Sequence, residues 1–264
     1  MGLGRPAMRE RSVLARLEHF CDEEGLGSAS LGHEVVAAFV DQGLKNRTPS
    51  TRGTYRSVLR QVAGPSGVGA GPPFSASPAP APYRPDERSE LWAMAMAQPK
   101  AWRRHSALML LALGLGAGLR PGEITVATTN DVLGRTSSLR LSIGARAPRT
   151  VRVQPDYAAL LAALAKKTEG TFLFHRSAVD RSYYNFVNDF CRQLVCDPAA
   201  PKLSANRCRS SFICDHLAAG TPLSILLEMS GIKEVESLLR YARHVDGAPR
   251  SKAALRRQLA SERP

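Results

Sequence analysis

The 264-residue sequence has no apolar run long enough to cross a bilayer, since the longest, Ala107 to Leu119, is too short and is interrupted by glycines. Its opening residues, MGLGRPAMRERSV, contain no apolar signal core, and Pro6 spoils the myristoylation pattern that Gly2 would begin. Cysteine is sparse. The five present, Cys21, Cys191, Cys196, Cys208 and Cys214, form no C-x-x-C pair and no His-bearing zinc spacing. They read as free thiols in a reducing compartment, with no metal site and no disulfide framework. Together these absences predict a soluble, cytoplasmic protein with no membrane partner. Acidic residues are also in deficit, at 23 Asp+Glu against 36 Lys+Arg, a formal net charge of +13. A surface so basic favours a polyanion, and nucleic acid is the usual one. The Ala, Gly and Pro usage also fits a GC-rich genome, which by itself raises arginine content. The charge is uneven: residues 1–75 hold 9 basic and 7 acidic side chains, leaving 27 against 16 in the remainder.

What the chain does contain divides into two folded parts and a tether. Residues 1–64 read as a small all-α domain: Val13 to Cys21 is amphipathic, Val35 to Val40 is apolar, and Thr51 to Val62 places Tyr55, Leu59 and Val62 on one face, with Ser50 as the expected N-cap. On the other face of that last helix Arg52, Arg56 and Arg60 recur every four residues, a row suited to a DNA backbone, although taken alone it reads first as a solvated face. Residues 65–82, dominated by Pro, Gly, Ala and Ser, read as a linker through which two tethered pieces could close around a duplex.

Residues 83–264 predict a mainly α domain with a small β-hairpin. Helices are expected over Asp86–Ala97, Ala101–Leu119, Asp156–Ala165, Tyr183–Val195 and Ala253–Leu259, and the alternation around Gly144–Pro148 predicts a hairpin over 138–153. Two stretches carry chemistry. The first is Gly118-Leu-Arg120-Pro-Gly-Glu123, which leaves an arginine at a helix junction with an acid three residues on. The second is Leu203 to Val245, where Arg209 opens an apolar helix, Ala219-Gly220 turns, a second apolar helix follows and Tyr241 arrives near the end. Two arginines can grip a phosphate with parallel N–H donors, and a phenol oxygen can attack it.

These stretches resemble the tyrosine recombinase (phage integrase) family. Arg120 and Glu123 match its Gly-Leu-Arg-x-x-Glu-Leu signature; Arg209, Ala219-Gly220 and Tyr241 match its C-terminal pattern of His-x-x-Arg, Ala-Gly, Leu-Gly-His and Tyr. Thr51, Tyr55 and Leu59 match a helix common in the family's core-binding domain. The resemblance implies an α+β catalytic domain behind a helical DNA-binding domain. It also implies cleavage and rejoining of double-stranded DNA through a 3′-phosphotyrosyl bond without cofactor, by a homotetramer on paired sites of a mobile element. It assigns Arg120, Arg209 and Tyr241 to catalysis with Glu123 in support, and a final helix that often docks on a neighbouring protomer.

Three positions depart from the pattern. Asn206 stands where the His of His-x-x-Arg would be, Ile232 where the His of Leu-Gly-His would be, and Arg146 is the nearest occupant for the hairpin lysine. Asn206 cannot take a proton from a phenol, Ile232 donates nothing, and an arginine is a poor proton donor. His244 and Lys233 are nearby candidates for the missing proton chemistry, although His244, one helical turn past Tyr241, reads first as a surface residue. Arg149 and Arg207 complete the expected DNA contacts. Three readings stay open: an active recombinase, a DNA-binding accessory protein with the same fold but weak or no cleavage, and strand relaxation of the topoisomerase IB type.

Overall fold

The computed structural model describes residues 8–26, 32–64, 78–144, 148–168, 171–174 and 186–262. The chain forms two compact units, Met1–Pro78 and Ala79–Pro264.

The first unit is helical. It contains α1 (Met8–Glu23), α2 (His33–Ala38), which runs on into a wider turn over Phe39–Gly43, and α3 (Pro49–Ala63). Its core gathers Val13, Leu17 and Phe20 from α1, Val36 and Phe39 from α2 and its extension, and Val58 and Leu59 from α3. Tyr55 and Val62 pack against that core with Leu59, as their helical spacing requires. The cap differs from expectation. Thr48, not Ser50, caps α3: its side chain accepts the Thr51 N–H at 3.3 Å and Pro49 occupies the first helical position, where a missing N–H costs nothing.

In the second unit, α4 (Pro85–Met96) leads to α5 (Ala101–Ala117), the helix around which the rest is packed. From Ser106 to Ala117 every α5 residue is buried, so this helix is apolar all round, as a core helix must be. It packs against α7 (Pro155–Lys167) and α9 (Ala205–Ala218). At Gly114 a Cβ would lie 2.6 Å from the Cβ of Cys208, so only glycine permits this approach of α9. Between α5 and α7 lie α6 (Pro121–Val126) and an antiparallel sheet in the order β1 (Val132–Leu133), β2 (Arg140–Ile143), β3 (Arg149–Arg152). The hairpin was legible in its alternation; β1 was not, because two residues carry no period. Leu139, Leu141, Ile143, Val151 and Val153 turn one face of the sheet into the core.

Beyond α7, Leu173 and Phe174 are buried and Phe172 bridges to Thr128. Then come α8 (Phe186–Arg192), α9, α10 (Leu223–Ser230), α11 (Leu239–Ala242) and α12 (Lys252–Ser261). The terminal helix lies on its own chain, against α10 and the turn over Val235–Leu238, with Leu255 fully buried. Glu262 accepts the Leu223 and Ser224 N–H groups at 2.8 and 2.9 Å and so caps the start of α10. Burial alone would raise that carboxyl, but the two backbone donors outweigh it and hold it below the usual range.

Residues 79–82 were expected to be linker, yet they pack on the second unit. Ala79 is buried, and its carbonyl lies 3.1 Å from His244 Nε2. Arg207 donates to the carbonyl of Ala81 at 3.1 Å and stacks 3.9 Å above the Tyr83 ring. Among the described residues no helix is long and apolar enough to cross a membrane.

Candidate active site

Helix ends carry the site. An α-helix leaves its last carbonyls without intrahelical donors, and their partial negative charge attracts cations. α5 stops at Gly118 (φ +62°) and α10 stops at Gly231 (φ +64°), both left-handed, as helix-ending glycines are. At Gly118 a side chain is also excluded by space, because a Cβ would meet Phe212 at 2.3 Å.

Arg209, on the first turns of α9, is 6% exposed and joins these two helix ends. Its Nη1 donates to the Gly118 carbonyl, and its Nη2 donates to the Ser230 carbonyl at 2.7 Å. Burial is the main reason its pKa is lowered. The nearby charges that modulate it are Tyr241, which raises it, Arg120, Glu123 and Arg149. Residues far apart in sequence thus share one electrostatic neighbourhood.

Arg120 caps α6. Its own N–H donates to Glu123 Oε2 at 2.8 Å, and its Nη2 donates to the Gly231 carbonyl at 2.6 Å. Its side chain remains 40% exposed, so part of its guanidinium faces solvent. Tyr241, on α11, is half-buried against the core; its carbonyl accepts a weak bond from the Cys214 thiol at 3.7 Å.

Glu123 is held from a second side by Arg149. Nη1 and Nη2 of Arg149 donate to the two carboxylate oxygens at 2.7 and 2.9 Å, and its Nε donates to the Met229 carbonyl at 2.8 Å. Burial would raise the Glu123 pKa, but the Arg149 fork and the Arg120 N–H outweigh it, so the carboxyl lies below its usual value. Arg149 was expected to contact DNA. Instead it is 9% exposed, because it shares the inward parity of Val151 on β3 and of Val153 just beyond it, and its charge is matched by Glu123.

Two other expected DNA contacts are occupied internally. Arg207 bonds Glu87 at 3.0 Å as well as Ala81, tying the 79–87 segment to α9. Arg52 donates to the Val40 carbonyl at 2.9 Å and pairs with Asp41, fastening α3 to the turn before it. In that row Arg56 is half-buried and Arg60 exposed. Arg146 lies outside the described residues.

No protein-family model matches the chain, and no curated protein matches it. Solved structures do. The XerH site-specific recombinase, bound to palindromic difH substrate in a post-cleavage complex, superposes with a TM-score of 0.62 at 15% identity, covering 95% of this chain and 77% of that one. The Tn1549 transposon integrase in complex with circular intermediate DNA superposes with a TM-score of 0.59 at 14% identity, covering 98% and 95%. The chain has the tyrosine recombinase fold. Two of the three departures from the pattern fall among the described residues. Asn206 is exposed on the first turn of α9, one turn before Arg209. Ile232 is half-buried against the core just past Gly231, its N–H on Ser230 Oγ at 3.3 Å. Lys233 is exposed, and His244, expected at the surface, is half-buried beside the Ala79 carbonyl.

What sequence reasoning missed in this recombinase fold is the backbone: the carbonyls of Gly118, Ser230 and Gly231 are the seats of Arg209 and Arg120. The signal was present as two glycines ending apolar helices.

Proposed function

We propose that the chain is a site-specific DNA recombinase that cleaves and rejoins strands through Tyr241. One observation carries the reading: Arg120 and Arg209 are seated on adjoining helix-end carbonyls, with Tyr241 in Arg209's electrostatic neighbourhood. Each arginine spends some of its five donors on carbonyls, and the others remain for a phosphate. Three guanidiniums against one carboxylate leave the cluster at +2, the charge that balances a doubly negative five-coordinate phosphorus.

In the reaction the Tyr241 oxygen bonds to phosphorus, the bond from phosphorus to the 5′-oxygen breaks, and the phenol gives up its proton while the 5′-oxygen gains one. The second strand's 5′-hydroxyl reverses these steps. Arg120 and Arg209 stabilise the charge that develops on phosphorus, as preorganised donors do. Proton transfer is the weak part: Asn206 and Ile232 supply no acid or base, and losing one typically slows a step by about 10²- to 10⁴-fold. Duplex DNA is the substrate, held by the basic second unit with Arg60 and Arg56 in the first, and the working assembly is a homotetramer on paired sites.

Ile232, an apolar residue at a proton-handling position, favours a second reading in which the fold binds DNA without cutting it. Covalent trapping on nicked duplexes carrying candidate junctions of the host element separates the two. A band that survives SDS, is lost on protease treatment and is absent for Tyr241→Phe supports the recombinase; binding with no covalent species supports the scaffold.

A further inference from the structure

The outer face of the small sheet carries an arrangement that folding alone disfavours. In the β2–β3 register Arg140 lies directly opposite Arg152, and Ser142 lies directly opposite Thr150. Their neighbours Leu141, Ile143, Arg149 and Val151 are buried, so Arg140 and Arg152 both project from the exposed face. Directly opposed residues on an antiparallel pair have Cα atoms about 4.5–5.5 Å apart, and like charges there are destabilising. Among the described residues neither guanidinium is paired with a carboxylate. On the far side of Arg140 the cross-strand partner is Leu133, 43% exposed, which offers no counter-charge.

We infer that Arg140 and Arg152, with the hydroxyls of Ser142 and Thr150 beside them, form a docking site for the phosphodiester backbone of duplex DNA, separate from the arginine cluster at Tyr241. Successive backbone phosphates, one at each guanidinium, turn their repulsion into two charge-assisted contacts, and the hydroxyls add neutral donors. A long polyanion fits better than a single free anion. Two exposed arginines on an open sheet hold one small ion weakly in salt, whereas a chain of phosphates brings many contacts and releases its counterions. The placement also matters, because β3 is four residues long and presents Arg149 inward and Arg152 outward. A backbone phosphate on Arg152 therefore holds the same strand whose Arg149 fixes Glu123, and through it Arg120. This inference rests on the reading of the chain as a DNA-acting protein.

The test measures affinity of the full chain for a duplex of arbitrary sequence by fluorescence anisotropy across a series of salt concentrations. Wild type is compared with Arg140→Gln, Arg152→Gln, the double variant, and Arg250→Gln, which removes an exposed charge outside the sheet. Each single variant is expected to reduce the slope of log affinity against log salt by about 0.9, the double by about twice that, and Arg250→Gln by far less. Thermal melting without DNA is expected to rise or stay level in the single variants, since removing either arginine relieves the repulsion. Wild-type binding with an unchanged slope in the double variant overturns the site alone. Failure of wild type to bind any duplex overturns the site together with the DNA-acting reading. Melting that falls in both single variants also overturns it, because the pair would then be supporting the fold. A melting shift with inorganic phosphate that the double variant loses, without any change of slope, assigns the site to free anions and overturns the duplex assignment.

Discussion

At the residue scale, the pair Arg149–Glu123 shows how much of the site is built before any substrate arrives. Both are largely buried, bonded through two parallel contacts, and tied to the Met229 carbonyl and the Arg120 N–H. Breaking one side of such a pair leaves an uncompensated buried charge, which costs about 3–5 kcal/mol. Arg149→Met should therefore lower stability by that order in urea unfolding, and adding Glu123→Gln should recover part of the loss, because the stranded charge is then gone. The pH dependence follows from the same contacts. Glu123 is held below its usual pKa, so its contribution is full above the unfolded-state value and disappears as pH falls through the folded one. Unfolding free energy of wild type should fall more steeply on acidification below about pH 5 than that of Glu123→Gln; equal acid slopes would show that the carboxyl is not the group involved. Arg149 was misplaced by sequence reasoning because a basic residue in a basic protein was taken as surface. Its parity with Val151 and Val153 held the correct answer, and only the position of Glu123 in space explains how a charge is tolerated there.

At the element scale, helix ends decide more than helix middles. Periodicity was enough to find α3, α4, α5, α7 and α12 to within a few residues, since each is set by an apolar stripe or an apolar whole. It was not enough to show that α5 and α10 terminate beside one another, because that depends on packing between residues far apart in sequence. Gly118 is the most constrained of these ends. Gly118→Ala meets both a left-handed backbone and the Phe212 ring, and strain of that kind costs about 1–3 kcal/mol before any clash is counted. Melting should drop by several degrees, and Arg209 should lose one of its carbonyl seats. A gentler effect belongs to the other end of α10. Glu262→Gln weakens the cap on Leu223 and Ser224, for which about 1 kcal/mol is the usual scale, and hydrogen exchange at those two amides should quicken first. The family resemblance implies a final helix that often docks on a neighbouring protomer; in this structure the apolar residue Leu255 of that helix is covered by its own chain.

At the scale of the whole molecule, the two units have separate hydrophobic cores and opposite degrees of charge bias. The first is nearly balanced, and the second carries most of the excess of basic residues. Fold class was legible because the signature motifs and the helix pattern agreed, and the superposition on XerH and Tn1549 integrase bears it out. The function of individual arginines was not legible, because a guanidinium serves as well for fastening the chain as for gripping phosphate. Arg52, Arg149 and Arg207 are fasteners in this structure. Nonspecific DNA affinity should accordingly respond little, beyond any loss of folding, to Arg52→Gln.

The seating of Arg209 on the Gly118 and Ser230 carbonyls has a consequence for what mutational tolerance can reveal. A selection that asks only for a folded, abundant protein should retain Arg209, Gly118, Arg149 and Glu123 as firmly as a selection for strand exchange, since losing any of them strands a buried polar group or strains the backbone. Within the cluster around Arg209, the half-buried phenol of Tyr241 and the solvent-facing part of Arg120 have nothing to do for folding that a phenylalanine or a lysine could not do. Those two positions are where a library selected for stability and one selected for activity should diverge, and the extent of that divergence is a measure of catalysis that needs no knowledge of the target site.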